Sequence, residues 1–486
     1  MSVQPIPIAT VAIDNIFVID ETIQQQFEEI AVRRLVRKLD WRLIPFIVLI
    51  EVISYMNRIS TGHAKLMEIE SDLNLSEYES NLDISLFFLA YMIFAIPSYF
   101  LMRYLGATRY LSLSLLAWGS ITVGLAFVRN ARELLSVQFL LGMTQAGFFP
   151  SIVIYFSFWY RKRDQTMRIA ILFGAAIISS ALSGILAYGF TYLDGTRGLN
   201  SWQWMFLLEG LPMIPLGIIT CLFLSNIPDT VQWLDNSEKQ LLTNLLRHDA
   251  GISDGENVRL SWRQVFYVFI DWRIYLYALI NIGILGVIKY INAFLPLLVE
   301  NMGKSKAEAH LMTAPPYVFA FVCCLLVNYS SSRRNEHGFH LIFCLSITLV
   351  GFILMLTLID RGQAARYVSI CIASCGISSA YPLLISWLTN NVGGHTKRSI
   401  AIGFVVGIGQ IGGIILPLVH YDESTNRRNN FIYIGIVAAS LVLVIILRIC
   451  LMLENRWRDN LSREKYDRVA AIKESCDWHP QVRYVL

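Results

Sequence analysis

The chain has 486 residues, of which 55% are hydrophobic and only 16% charged, and its mean hydropathy is +0.51. Such a composition is too apolar for a soluble domain of this length and excludes a water-soluble or disordered protein. The small net charge of +4 reflects how lysines and arginines are distributed about a membrane rather than an affinity for nucleic acid.

Residues 1–41 are polar and of mixed charge, without the basic-then-apolar order of a cleavable signal peptide. This segment reads as a tail, with an amphipathic helix expected over 24–38. Twelve apolar runs follow, each long enough to cross a bilayer at about 20 residues per helix. They fall near 42–61, 83–102, 110–128, 134–157, 169–191, 205–225, 273–298, 311–330, 339–359, 366–389, 400–420 and 431–453. The first six form a unit over 42–225 and the last six a unit over 273–453. Between them, 226–272 is expected as a hydrophilic linker, mostly a solvated loop, and 454–486 as a second tail. The predicted class is an all-α membrane protein of twelve spans in two six-helix bundles.

An even number of spans puts both ends on one side. Ten lysines and arginines fall after odd-numbered spans: Lys65, Arg129, Arg132, Arg197, Lys304, Lys306, Arg361, Arg366, Arg427 and Arg428. With Arg58 and Lys289 set aside, twenty-eight of the forty lie on the other side, so the positive-inside tendency makes both tails and the linker cytoplasmic. The sequon Asn74-Leu75-Ser76 then lies in the first outer loop. The eight cysteines show no metal-ligand spacing and no structural disulfide is expected. His63 and His395 are read as solvated loop residues.

The two halves repeat. Asp40-Trp41-Arg42 opens the first span and Asp271-Trp272-Arg273 opens the seventh, 231 residues later; Arg58 and Lys289 stand at the same offset inside the spans. Pro150 and Pro382, in spans 4 and 10, repeat the offset within one residue. A cation at the centre of a membrane helix costs roughly 2.5–3.5 kcal/mol, so two at equivalent positions call for a compensating role, most simply the capture of an anion. The competing role is snorkelling to the outer interface. Two six-helix halves joined by a long linker suit rocking about a central site, with spans 1, 4, 7 and 10 lining a cavity and Arg58 facing Lys289 across it.

Several motifs carry a resemblance. The run Asn391-Val392-Gly393-Gly394-His395-Thr396-Lys397-Arg398-Ser399-Ile400-Ala401-Ile402-Gly403 resembles the loop between helices 10 and 11 of fungal allantoate permease-like proteins, in the anion:cation symporter branch of the major facilitator superfamily. So do Gln145-Ala146-Gly147-Phe148-Phe149-Pro150, Trp202-Gln203-Trp204-Met205-Phe206-Leu207-Leu208-Glu209-Gly210 and Pro315-Pro316-Tyr317. The resemblance runs from about residue 39 to 453. It implies a secondary transporter of a small organic anion, vitamin-like or another carboxylate, working as a monomer in the plasma membrane, with no cofactor. Nicotinate, pantothenate, biotin and allantoate are among the solutes of that family.

The departures from the family pattern bear on mechanism. Where it carries an Asp-Arg pair in helix 1, this chain has Asn57-Arg58; where it carries an Arg and, seven residues on, a Glu in helix 4, this chain has Gln138 and Gln145. In relatives those carboxylates carry protons, and an amide does not titrate. Gln203 stands where Arg is usual. The loop Arg103-Tyr104-Leu105-Gly106-Ala107-Thr108-Arg109 keeps the signature glycine and basic residues but lacks the acidic one. Coupling to protons is thereby open. Glu51 is the candidate substitute, because it lies seven residues before Arg58 and two turns place both on nearly one face. Burial and a nearby cation act in opposite directions on such a carboxylate, which suits loading and unloading of a proton; permanent neutralisation of Arg58 is the competing role.

The candidate substrate contacts are Arg58, Lys289, Asn57, Gln145, Tyr55, Asn292, Tyr381 and Gln410. Asn281 and Gln138 are further polar candidates, and Tyr91, Phe148 and Tyr290 further aromatic ones. Singly, each is as well explained by helix-to-helix bonding or packing. Arg161, Arg163 and Asp164 after span 4, and Lys397 and Arg398 after span 10, are expected to gate the cytoplasmic side through salt bridges between the halves. Gly184 and Gly189 in span 5, and Gly403, Gly407, Gly409, Gly412 and Gly413 in span 11, are expected at close helix contacts. No nucleophile elbow, His-Glu-x-x-His or phosphate-binding glycine loop is present, so an enzyme is not expected. Besides the proton-coupled carrier, a facilitative or potential-driven carrier and a receptor that binds solute without moving it fit the sequence.

Overall fold

A computed structural model describes residues 8–225, 231–250, 261–300, 311–358, 361–419, 426–470 and 476–486. All regular structure among them is helical, and eleven helices are long and apolar enough to cross a membrane. The twelfth, Ala107–Leu125, is less apolar because Thr108, Arg109, Ser112, Ser114, Ser120 and Thr122 lie along it. The expected all-α, twelve-span architecture is what the structure shows. Lys304 and Lys306 lie outside the described residues, as do the side chains of Lys65 and Arg427.

Span 1 belongs to a single helix, Ile8–Leu66, so the expected amphipathic helix over 24–38 is continuous with it. That helix also takes in His63, which is buried rather than solvated. Span 2, Glu77–Leu105, starts at a capping box in which the Ser76 and Glu79 side chains satisfy each other's backbone N–H. Spans 2 and 3 are joined by Gly106 alone, at φ 84, a left-handed backbone that favours glycine. Span 4 is broken at Ala146-Gly147 into Ala131–Gln145 and Phe148–Ser157, and span 5 is Lys162–Phe190. Span 6 is Ser201–Gly210 and Met213–Phe223; its first turn is capped by Asn200 and by Gln203, whose Nε2 donates to Ala126 O at 2.9 Å.

The second half comprises span 7, Trp272–Glu300, span 8, Ala314–Arg334, span 9, Gly338–Thr357, and span 10, Gln363–Asn391. Span 11 is His395–Gly409 with Ile411–Val419, and span 12 is Asn426–Asp459. Two expectations change here. The linker holds two helices, Asn236–Ala250 and Trp262–Ile270, rather than mostly loop. The connection between spans 10 and 11 is only Val392–Gly394, so Lys397 and Arg398 sit in the first turn of span 11, both buried.

Burial sorts the spans. The most apolar stretch of span 4 is 78% buried, whereas that of span 12 is 28% buried, and Val442, Ile446, Ile449 and Leu453 of span 12 are exposed. Exposed apolar side chains on a span are what a lipid-facing surface requires. In span 11, a Cβ at Gly407 would lie 2.7 Å from Ala95 Cβ of the other half, and one at Gly412 would lie 2.4 Å from Ile282 O. These glycines permit close approach, as expected. Gly189 has nothing within 4 Å and makes no such contact.

Candidate functional site

One cavity lies between the halves. Span 1 contributes Glu51, Tyr55 and Arg58, span 7 contributes Leu285, Ile288 and Lys289, and spans 10 and 11 add Tyr381 and Gln410. Phe87, Phe88 and Tyr91 of span 2, Phe149 of span 4 and Phe173 of span 5 complete the wall. Spans 2, 5 and 11 therefore line it beside the expected 1, 4, 7 and 10. About 30 Å³ is open to the centres of water-sized molecules, room for two or three waters at roughly 10–15 Å³ each.

Arg58 is held from several sides. Its Nε donates to Gln145 Oε1 at 3.0 Å, and its guanidinium lies 5.6 Å from the Tyr55 ring, 5.8 Å from Tyr91 and 5.6 Å from Trp118. Cation–π contacts contribute about 0.5–2 kcal/mol each, more when water is excluded. None of these groups is an anion, so they position Arg58 without pairing its charge. Lys289 sits over the Phe88 ring of the other half at 4.9 Å. Neither cation makes an ion pair among the described residues. Glu51 is the one carboxylate in the wall, buried, and its Oε2 has no hydrogen-bond partner among the described residues. Two cations and one carboxylate give the lining a formal charge of +1.

Asn57 and Gln145 do not line the cavity. Asn57 Oδ1 accepts from Trp118 Nε1 at 2.6 Å and from Thr122 Oγ1 at 3.1 Å, which fixes the indole lying over Arg58. Asn292 lies beyond the cavity wall, with its Oδ1 accepting from Tyr317 Oη at 3.0 Å. Of the polar and aromatic candidates, Asn281 bonds span 11 through Val405 O at 2.8 Å, and Tyr290 stacks on Tyr433 with centroids 3.9 Å apart. Phe148 packs edge-on against Trp118. Gln138 donates to Asp83 Oδ2 at 3.2 Å and borders a different, smaller cavity with Glu70 and Ser80. Tyr91 alone of these further candidates reaches the central wall.

Sequence reading missed Phe87, Phe88, Phe149 and Phe173. A phenylalanine in a span signals nothing until its neighbours are known. It also passed over Trp118 and Glu209; the latter is buried in span 6 and accepts the Ser60 hydroxyl.

Arg161, Asp164 and Lys397 bond within their own halves in this structure. Arg161 Nε meets Asp164 Oδ2 at 2.8 Å within the first half, and Lys397 Nζ meets Asp271 at 2.8 Å and Asp477 at 2.7 Å within the second half and its tail. Arg398 Nε donates to Val392 O at 3.1 Å, and Arg163 is exposed. These ion pairs of Arg161 and Lys397 lie within one half or its tail, Lys397 being carried inward by span 11. A bond that does cross between the halves on this face is neutral, Asn390 Nδ2 to Thr166 Oγ1 at 3.4 Å.

Two pseudo-equivalent six-helix bundles around a central charged cavity define a membrane carrier. The sequence model described as Major Facilitator Superfamily matches residues 47–417, and the chain belongs to that superfamily of transporters; it is not an enzyme. The MFS transporter prlL of Fungal sp. (strain NRRL 50135) is 30% identical over 404 residues, covering 82% of this chain and 81% of that protein. A protein of Agrobacterium vitis bearing the provisional name of tartrate transporter is 27% identical over 422 residues, covering 85% and 91%. Among solved structures, the proton:xylose symporter XylE bound to 6-bromo-6-deoxy-D-glucose superposes with a TM-score of 0.67 at 13% identity, covering 82% of this chain and 94% of that one. At that identity the likeness is one of fold.

Proposed function

We propose that this transporter carries a small organic anion by alternating access, with Arg58 as the anchor for its carboxylate and Lys289 as the second cationic contact. The observation that carries the reading is that Arg58 and Lys289, from opposite halves, line one buried cavity and face a single carboxylate, Glu51. An anion bound there gains charge-assisted hydrogen bonds in a site shielded from water. It also touches both halves, as a solute must if its binding is to drive their closure. Tyr55, Tyr381 and Gln410 are further contacts in the wall, while Asn57 and Gln145 act through Trp118 and Arg58. The tartrate name of the Agrobacterium relative is in keeping with a carboxylate. We infer that it works as a monomer in the plasma membrane with both ends cytoplasmic, a reading supported by the family resemblance and by the positive-inside distribution of its lysines and arginines.

Uptake of labelled nicotinate, pantothenate and tartrate into liposomes holding the purified protein tests this. Saturable uptake of at least one, reduced about 10- to 100-fold in Arg58→Ala, is the expected result for the loss of a charge-assisted contact. Equal uptake in that variant would remove Arg58 from the mechanism.

Coupling separates two versions of the function. Glu51 is the proton carrier of the first, in which a gradient drives accumulation and Glu51→Gln abolishes it. The second is a facilitative or potential-driven carrier, favoured by the amide of Gln145 on Arg58 Nε, where no proton can be held. Uptake that equilibrates alike in wild type and Glu51→Gln would select it.

A further inference from the structure

Residues 476–486 lie across one face of the second half, on the side of the linker. Asp477, 1% exposed, accepts from Lys397 Nζ at 2.7 Å and from Arg273 Nη2 at 2.7 Å. Asp271 takes the other side of both cations, at 2.8 Å from Lys397 Nζ and 2.6 Å from Arg273 Nη2. Two carboxylates and two cations thus close a buried square, and one corner comes from the tail. Without Asp477, two buried cations would share one anion, an arrangement that low-dielectric surroundings strongly disfavour.

The rest of the segment is fastened along its length. Val485 exchanges backbone bonds with the Asn391 side chain at 2.7 and 2.9 Å, and Leu486 O accepts from His337 N at 2.8 Å. Tyr484 exchanges two bonds with Asn455, each at 2.9 Å. Spans 10 and 12 and the turn between spans 8 and 9 are thereby tied to the square. Cys476 holds φ 51, a left-handed backbone that a non-glycine residue keeps only where its surroundings enforce it.

Two contacts extend this fastening toward the other half. Lys397 opens span 11, the same span whose Gly407 lies against Ala95 of span 2. Trp478 covers Lys397 at 4.4 Å and packs on Tyr267 with centroids 4.6 Å apart. Tyr267 belongs to the linker helix Trp262–Ile270, and Trp262 stacks on Phe100 of span 2 at 5.8 Å. The tail therefore holds the element that meets the first half and braces the linker helix resting on it.

We propose that residues 476–486 are a strap, locked by Asp477 into the Lys397–Asp271–Arg273 cluster and braced through Trp478, whose hold sets how readily the linker face opens between the halves. Hydrogen–deuterium exchange on the full-length protein in nanodiscs tests it without reference to any substrate, so its outcome is independent of the anion assignment. In Asp477→Asn, exchange is expected to rise about tenfold at residues 391–400, and also at 262–270 and 100–110, because local opening in one body is transmitted to the other. The double variant Asp477→Asn/Lys397→Met again balances the buried charge but leaves the tail without its lock, so exchange is expected to stay raised at 262–270 and 100–110; a return of all three segments to wild type would overturn the strap in favour of charge balance alone. A rise confined to 391–400 in folded Asp477→Asn would overturn the strap and leave a local structural contact. Should Asp477→Asn fail to fold, Trp478→Leu keeps every charge in place. It is expected to raise exchange at 262–270 and 100–110 alone, and no change there overturns the proposal.

Discussion

The two Asp-Trp-Arg corners share a sequence and differ in burial. In the first half, Asp40 meets Arg168 of span 5 at 2.5 Å, with side chains 35% and 13% exposed, while Trp41 and Arg42 face outward. In the second, Asp271 meets Lys397 of span 11, with side chains 3% and 0% exposed, and Arg273 turns inward. Spans 5 and 11 are repeat equivalents, so each aspartate reaches the start of the same span in its own half. The first corner is a bidentate pair at a wet edge. The second is enclosed because Asp477 adds a second anion and Tyr484 covers Arg273 at 4.6 Å. The equivalent aspartate thus sits in a buried cluster only in the half where the tail supplies a second anion.

The comparison breaks first if charge is removed from each corner in turn. Lys397→Ala, which leaves Asp271 and Asp477 buried without their shared cation, is expected to destabilise the protein by about 3–5 kcal/mol. Asp40→Asn at the partly exposed corner is expected to cost about 1 kcal/mol or less. Thermal unfolding in detergent measures both, and equal effects would refute the distinction.

A difference of similar kind is expected at the central cations. Arg58→Lys keeps the charge but loses the fork and the Gln145 bond, and is expected to lower uptake about tenfold. Lys289→Arg keeps the charge of a side chain seated over the Phe88 ring and is expected to cost less. Uptake of whichever probe the wild type transports compares the two, and a larger loss at Lys289 would move the anchor to the second half.

The pH response of the buried corner has a definite sign. Burial alone would raise the Asp271 carboxyl, but hydrogen bonding to Arg273 and the charges of Arg273 and Lys397 hold it down at about 2, below the usual 3.8. A depressed carboxyl stabilises the fold above its unfolded value and loses that contribution as pH falls through the folded one. The corner is therefore expected to contribute evenly from pH 5 to 8 and to fail between about pH 4 and 2. Unfolding midpoints of wild type and Asp271→Asn across that range should converge only in acid.

The smallest effects concern glycine. Gly189→Ala meets open space and is expected to stabilise the helix by up to about 1 kcal/mol. Gly407→Ala places its Cβ 2.7 Å from Ala95 and is expected to slow transport by obstructing the contact between the halves. Equal behaviour of the two would show that span 11 has slack.

The sequence by itself determined the twelve spans, their division into two bundles and the equivalence of Arg58 and Lys289. Apolar runs of bilayer length and a repeat offset of 231 residues are local or periodic signals that need no partner to be read. It also placed Tyr55, Glu51, Tyr381 and Gln410 among the lining residues, because a polar or aromatic group at depth stands out against hydrocarbon. Tertiary structure decided which way each side chain turns. Asn57 and Asn292 have the chemistry of ligand contacts, yet one holds Trp118 and the other holds Tyr317. Lys397 and Arg398 read as surface gate charges until span 11 carries them inside. Asp477 lies 206 residues from Asp271, and no period or motif links them; only the folded chain brings both carboxylates to one lysine.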